Sequence, residues 1–228
     1  THFYVKKADA SRIYGLELED ILSPDKINFL VYENTLIEEH ILGIPGDVFI
    51  KKNFKNCSDS EKAQIAKEFV KFNERCLIRL LGDMRSYNYV VIPIHDFDQV
   101  VYKIRPIDFD QQSYEGSLKL YRPQFFIENY AMVDMVQKKL QESSVEQYRN
   151  EERANVAKRI HSSYKRIRSL MRIMSKDKIA PKEHLDQLKN ELYEYTHDIK
   201  LKKVRSMGAL LIVVFEFVSR NYKNVNRM

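Results

Sequence analysis

The 228 residues carry 44% hydrophobic and 31% charged side chains, enough apolar material for one large domain or two small ones. These proportions exclude a fibrous or disordered chain, and the net charge of +6 permits phosphate, nucleotide or nucleic-acid partners without demanding any of them. The best membrane-span candidate, Met207 to Val218, is only 12 residues long and contains Glu216, so no membrane partner is expected. Nothing after Thr1 resembles a signal peptide, and Cys57 and Cys76 form neither a metal spacing nor a disulfide framework. A cytoplasmic setting with reduced thiols is the default expectation.

Residues 2–7 begin like a strand, and 8–22 are ambiguous. Residues 27–33 and 36–42 read as two further strand-rich runs leading into a turn at Gly43-Ile44-Pro45-Gly46. Ser58 and Glu61 have capping-box spacing. Behind them Ile65, Phe69, Phe72, Cys76 and Leu80 recur at three- and four-residue intervals, predicting a helix that ends near Leu81, where Gly82 interrupts it. Tyr89 to Ile94 and Val100 to Ile107 read as a β-hairpin turning at His95-Asp96-Phe97-Asp98, and Pro93 and Pro106 favour an edge position. A metal site at His95 is weaker than the reading of a solvated hairpin tip.

From about residue 125 the pattern is helical. Ser143 and Glu146 offer a second capping box, and Val156, Ile160, Tyr164, Ile167, Leu170, Met171 and Met174 form one long apolar stripe ended by Pro181. Residues 182–203 and 205–222 supply two more helices. Mixed strands followed by helices predict an α+β arrangement. Lys158 to Lys178 holds eight lysines and arginines against Asp177 alone. Two readings stay open there: a face for an acidic partner or nucleic acid, and the solvated side of an amphipathic helix.

The chemistry-bearing stretch runs from Leu80 to Gln112. Asp83 and Asn88 flank a tight loop, and a hairpin returns the chain to Ile107-Asp108-Phe109-Asp110. A carboxylate able to orient a hydroxyl, with an amide oxygen and a second carboxylate able to share a cation, is the grouping phosphoryl transfer needs. Asp110 reads as a loop or cap residue. Gln111, Gln112, Ser113 and Tyr114 either shape an acceptor site or form a polar loop.

This segment resembles the catalytic loop and metal-binding strand of the protein-kinase-like superfamily, nearest its aminoglycoside-phosphotransferase and choline-kinase branch. The matching residues are Gly82-Asp83, Asn88 five positions after the aspartate, and Ile107-Asp108-Phe109. The family's histidine is replaced by Leu81, no Gly-x-Gly-x-x-Gly loop occurs, and no Ala-Pro-Glu follows Asp108. The resemblance covers residues 36–112. It implies a two-lobed fold with a reduced upper lobe (strands and hinge, 1–46) and a mostly helical lower lobe (47–228). The lower lobe would comprise a catalytic loop at 81–88, a hairpin at 89–107, a metal segment at 107–112 and a helical bundle at 125–222.

It further implies Asp83 as catalytic base, Arg85 facing the transferred phosphate, and Asn88 and Asp108 as magnesium ligands. ATP would be held by Lys6 or Lys7 at its phosphates and by the backbone near Glu39 and Ile41 at its adenine edge, the glycine-rich loop then lying upstream of Thr1. The implied activity is γ-phosphoryl transfer to a hydroxyl-bearing acceptor. The alternatives are an interaction protein that keeps the fold without turnover, or a nucleic-acid binder using the basic helix.

Overall fold

The structure, a computed structural model, describes residues 2–97 and 99–222. Asp98 of the expected hairpin tip and residues 223–228 lie outside the described residues. The fold is α+β, with two small antiparallel sheets set on a helical body. Among the described residues no helix is long and apolar enough to cross a membrane.

The first sheet contains β1 (Phe3–Lys7), β2 (Phe29–Tyr32) and β3 (Thr35–Glu39) in the order β1-β3-β2. The central strand β3 pairs Lys6 with Leu36 on one side and Phe29 with Glu38 on the other. Strand alternation then turns Leu36 and Glu38 inward, where both are buried. The ambiguous stretch 8–22 is helix α1 (Ala10–Leu22), started by Asp9, whose carboxylate accepts the Arg12 backbone N–H.

The expected turn at Gly43 to Gly46 proves to be structured. Ile44 and Pro45 form a two-residue strand, β4, on Val91 and Val90, and Gly46 opens a short helix, α2 (Gly46–Val48), followed by irregular turns to Asn56. β4, β5 (Tyr89–Asp96) and β6 (Gln99–Pro106) make the second sheet. β5 is therefore flanked on both sides at Val90 and Val91 and becomes an edge only beyond them, where Pro93 sits.

Helix α3 (Asp59–Arg79) starts at the expected capping box, with Ser58 and Glu61 exchanging hydrogen bonds. Its apolar face is buried throughout from Ile65 to Cys76. It stops earlier than predicted, because Leu80, not Gly82, takes the left-handed conformation (φ 56°). The Leu80 carbonyl, released from the helix, accepts the Ser113 N–H at 2.8 Å.

The second capping box does not form. α4 (Tyr130–Lys139) is followed by α5 (Glu142–Ser162), which begins with the Val145 N–H on Gln141 O, while Glu146 turns to Arg149 and Arg153. The long stripe is two helices, since the chain bends at Ser163 before α6 (Tyr164–Met174), and Tyr164 points to solvent. α7 (Lys182–Thr196) ends at left-handed His197, short of the expected Lys203, and α8 (Met207–Tyr222) closes the body.

Two apolar clusters share α3. One joins Ile78 and Leu80 to α1, α5, α6, α7 and α8; the other joins Phe69, Phe72 and Cys76 to the sheets and α4. Burial pushes the Cys76 thiol up to about 12, as expected for an inert core cysteine.

α1 lies hard against the 107–110 segment at Gly15, where an added Cβ would stand 2.8 Å from Phe109 Cβ. Alanine in a helix interior normally gains about 1 kcal/mol over glycine. Here the overpacking cost of about 1–3 kcal/mol should reverse that sign. Gly15→Ala is expected to unfold at a lower denaturant midpoint than the wild type, and a raised midpoint would refute the close approach.

Candidate functional site

The loop after α3 is tied down residue by residue. The Gly82 N–H donates to Gln111 O at 3.1 Å, Asp83 N–H to Leu120 O at 3.3 Å, and Asn88 N–H to Arg85 O at 2.9 Å. Asp83 sits at φ 55°, in the left-handed region that aspartate tolerates better than most residues. Such a conformation persists only where surrounding bonds over-determine it. Gln112 and Ser113, both fully buried, provide part of that support: Gln112 Nε2 donates to Arg79 O at 2.6 Å and to Leu80 O at 3.2 Å. These two residues are scaffold, not an acceptor surface.

Within the loop, Asn88 Nδ2 donates to Asp83 O at 2.7 Å and to Asp83 Oδ2 at 3.2 Å. Both bonds use the amide nitrogen, and among the described residues no hydrogen bond occupies Asn88 Oδ1. Arg85 Nε donates to Asp83 Oδ1 at 2.8 Å, and its Nη1 to Glu128 Oε1 at 2.7 Å. Arg85 is thus held between two carboxylates, and their hydrogen bonds, that of Asp83 foremost, raise its pKa. The turn carrying Glu128 is itself anchored by buried Asn129, which donates to Met84 O at 2.9 Å and accepts the Tyr89 hydroxyl at 2.9 Å.

A cleft of about 440 Å³ opens between the two sheets. Five of the seven sequence-predicted residues line it: Lys6, Glu39, Ile41, Asn88 and Asp108. Asp83 and Arg85 do not line it; they adjoin it through Asn88. The Glu39 N–H is already taken by Asn28 O at 2.9 Å. The Ile41 N–H has no hydrogen-bond partner among the described residues.

The centre of the cleft is an ion network that sequence reasoning missed. Arg12 of α1 donates from Nε to Glu38 Oε2 and from Nη2 to Glu38 Oε1, both at 2.7 Å. Its Nη1 reaches Asp108 Oδ1 at 3.1 Å and Asp110 Oδ1 at 2.6 Å. Lys6 joins the same Glu38 Oε1 at 2.9 Å. Asp110 lies in the turn after β6, as its loop reading expected, and it is also an ion-pair partner of Arg12.

Burial by itself would lower the Arg12 pKa, yet the hydrogen bonds and charges of Glu38 and Asp110 raise it, so the guanidinium stays charged. The one available sequence signal was Asp9, an N-cap residue marking α1 and so placing Arg12 in its first turn.

Among the described residues no group of three or more His, Cys, Asp and Glu side chains is arranged to hold a metal. Asn88 and Asp108 are both in the lining of the cleft. The charge of the 158–178 stretch is partly spent inside the molecule, since Arg166 pairs with Glu17 and Asp20, and Arg159 donates to Leu22 O. No protein-family model, characterised protein or solved structure matches the chain significantly.

Glu38 supplies a pH test. Burial raises its pKa, but Arg12 and Lys6 outweigh that and hold it below the ordinary 4.5. A depressed carboxylate stabilises the fold above its unfolded pKa and loses that contribution as pH falls through its folded value. Wild-type stability should therefore decline as pH drops below 4.5. Glu38→Gln should flatten this acid limb and cost about 3–5 kcal/mol at neutral pH, because it leaves a buried cation short of its partner. Equal acid sensitivity in both proteins, measured by urea unfolding at several pH values, would count against the network.

Proposed function

We propose that the chain is a protein-kinase-like phosphotransferase that moves the γ-phosphoryl group of ATP to a hydroxyl acceptor. The observation that carries this reading is the convergence of Lys6, Asn88 and Asp108 on one cleft from three separated parts of the chain. Two further features support it. The strand bearing Lys6 pairs directly with β3, which leads into the stretch read as a hinge, and the unpaired Ile41 N–H lines the same cleft.

The donor set fits a magnesium ion bound together with substrate phosphates, because that ion needs few protein ligands and takes the rest from phosphate and water. Asn88 offers Oδ1, its amide nitrogen being occupied, and Asp108 is 37% exposed with Oδ1 bonded and Oδ2 free of hydrogen bonds among the described residues. When bound, magnesium would neutralise charge on the transferring phosphate.

Asp83 would orient the acceptor hydroxyl and take its proton, with Arg85 holding one carboxylate oxygen and Asn88 the other. Lys6 would meet the phosphates and Ile41 the adenine edge. In protein kinases the phosphate-binding lysine pairs with a glutamate on a helix. Here that glutamate is Glu38 on the neighbouring strand, and the helix brings Arg12 in its place. The upper part of this site is thus a variant of the family's arrangement.

Binding of a non-hydrolysable ATP analogue, followed by calorimetry with and without magnesium, tests the assignment. Asp108→Ala should abolish the magnesium-dependent part of the affinity. Asp83→Ala should bind the analogue normally but lower turnover, read as ATP hydrolysis or acceptor phosphorylation, by about 10²–10⁴-fold. Magnesium-dependent binding that survives Asp108→Ala would overturn the metal assignment. Binding without turnover in the wild type would favour a nucleotide-responsive interaction protein.

A further inference from the structure

Asp108 and Asp110 stand two residues apart, and a pair of acids at that spacing facing a nucleotide could recruit a second divalent cation. Protein kinases hold two such ions between their metal-binding aspartate and asparagine. In this chain a side-chain cation already stands between Asp108 and Asp110. Arg12 Nη1 lies 3.1 Å from Asp108 Oδ1 and 2.6 Å from Asp110 Oδ1, bridging the two carboxylates. The same Asp108 oxygen also accepts the Asp110 backbone N–H at 3.1 Å. Oδ1 is thus committed twice, whereas Oδ2 receives no hydrogen bond among the described residues.

The bridging cation is not a loose surface side chain. The Arg12 side chain is 6% exposed, and its other two nitrogens are locked onto Glu38, which is 5% exposed. α1 is also set close to the segment by Gly15 against Phe109. The guanidinium therefore cannot swing away without breaking a buried bidentate pair, among the strongest ion-pair geometries available.

We infer that Arg12 stands in for a second divalent cation between Asp108 and Asp110, so that the site binds one metal ion per nucleotide. It is a positioning residue: it fixes the Asp108 carboxylate through one oxygen and leaves the other for the single ion. This inference rests on the phosphotransferase reading and concerns only metal stoichiometry and its cause.

Manganese titration of the full chain with a non-hydrolysable ATP analogue, followed by electron paramagnetic resonance, tests it without any activity assay. The wild type should bind one Mn²⁺ per complex. Arg12→Gln should bind two, and adding Asp110→Asn to that variant should remove the second ion. If Arg12→Gln does not fold, Asp110→Asn alone decides. This side chain is 57% exposed, and its loss should leave one ion bound, with affinity changed by no more than about fivefold. Two ions in the wild type, a single ion in folded Arg12→Gln, or loss of an ion in Asp110→Asn would each overturn the inference. No manganese bound in the wild type would overturn the phosphotransferase reading itself, a result distinct from all three.

Discussion

One buried guanidinium holds this site together. Arg12 touches three carboxylates that arise from two different regions: Glu38 on the first sheet, and Asp108 and Asp110 after the second. Remove it and the cleft loses both the link between its walls and the charge that lets three acids sit close together. Breaking such a pair is far costlier than never having built it, because the surviving charge stays buried and unpaired. The network is therefore weak evidence for exceptional stability. It is stronger evidence that one relative position of α1, β3 and the 107–110 segment is specified over others.

The chain prepares that position well before Arg12. Gly15, one turn further along α1, removes the side chain that would hold the helix off Phe109. Glu19, another turn on, is buried and paired with Arg79 at the end of α3. A single helix thus presents an arginine to the cleft, a gap to the 107–110 segment and a glutamate to α3. The spacing of residues 12, 15 and 19 is the three-and-four rhythm of one helical face. On that face the residues are polar or small, which is why an apolar-periodicity search passes over it.

Legibility followed the same division. The capped start of α3 and its face from Ile65 to Cys76 were readable because both are local patterns with a fixed period. The β5–β6 hairpin was readable from its branched residues. The end of α3 was not, because Leu80 is pinned in a left-handed conformation by Ser113 and Gln112, more than thirty residues away in sequence. The Ser143–Glu146 spacing failed for a related reason: Glu146 finds arginines on its own helix and is not needed at the cap. At the site, Asn88 and Asp108 were singled out through the kinase-like resemblance, and both line the cleft. Arg12, Glu38 and Glu128 were invisible, since an ion pair across 26 or 43 residues leaves no periodic trace.

The identity of the bridging residue follows from geometry. A lysine at position 12 would bring the same charge but only one nitrogen, unable to grip both oxygens of Glu38 and still reach two aspartates. Arginine's planar fork assigns Nε and Nη2 to Glu38 and leaves Nη1 for Asp108 and Asp110. Lys6, by contrast, makes a single contact with Glu38 and remains 37% exposed at the cleft wall. The two cations sharing Glu38 therefore differ in kind. One is fixed by four bonds to carboxylates and serves the architecture; the other is held by one such bond and stays partly exposed at the cleft.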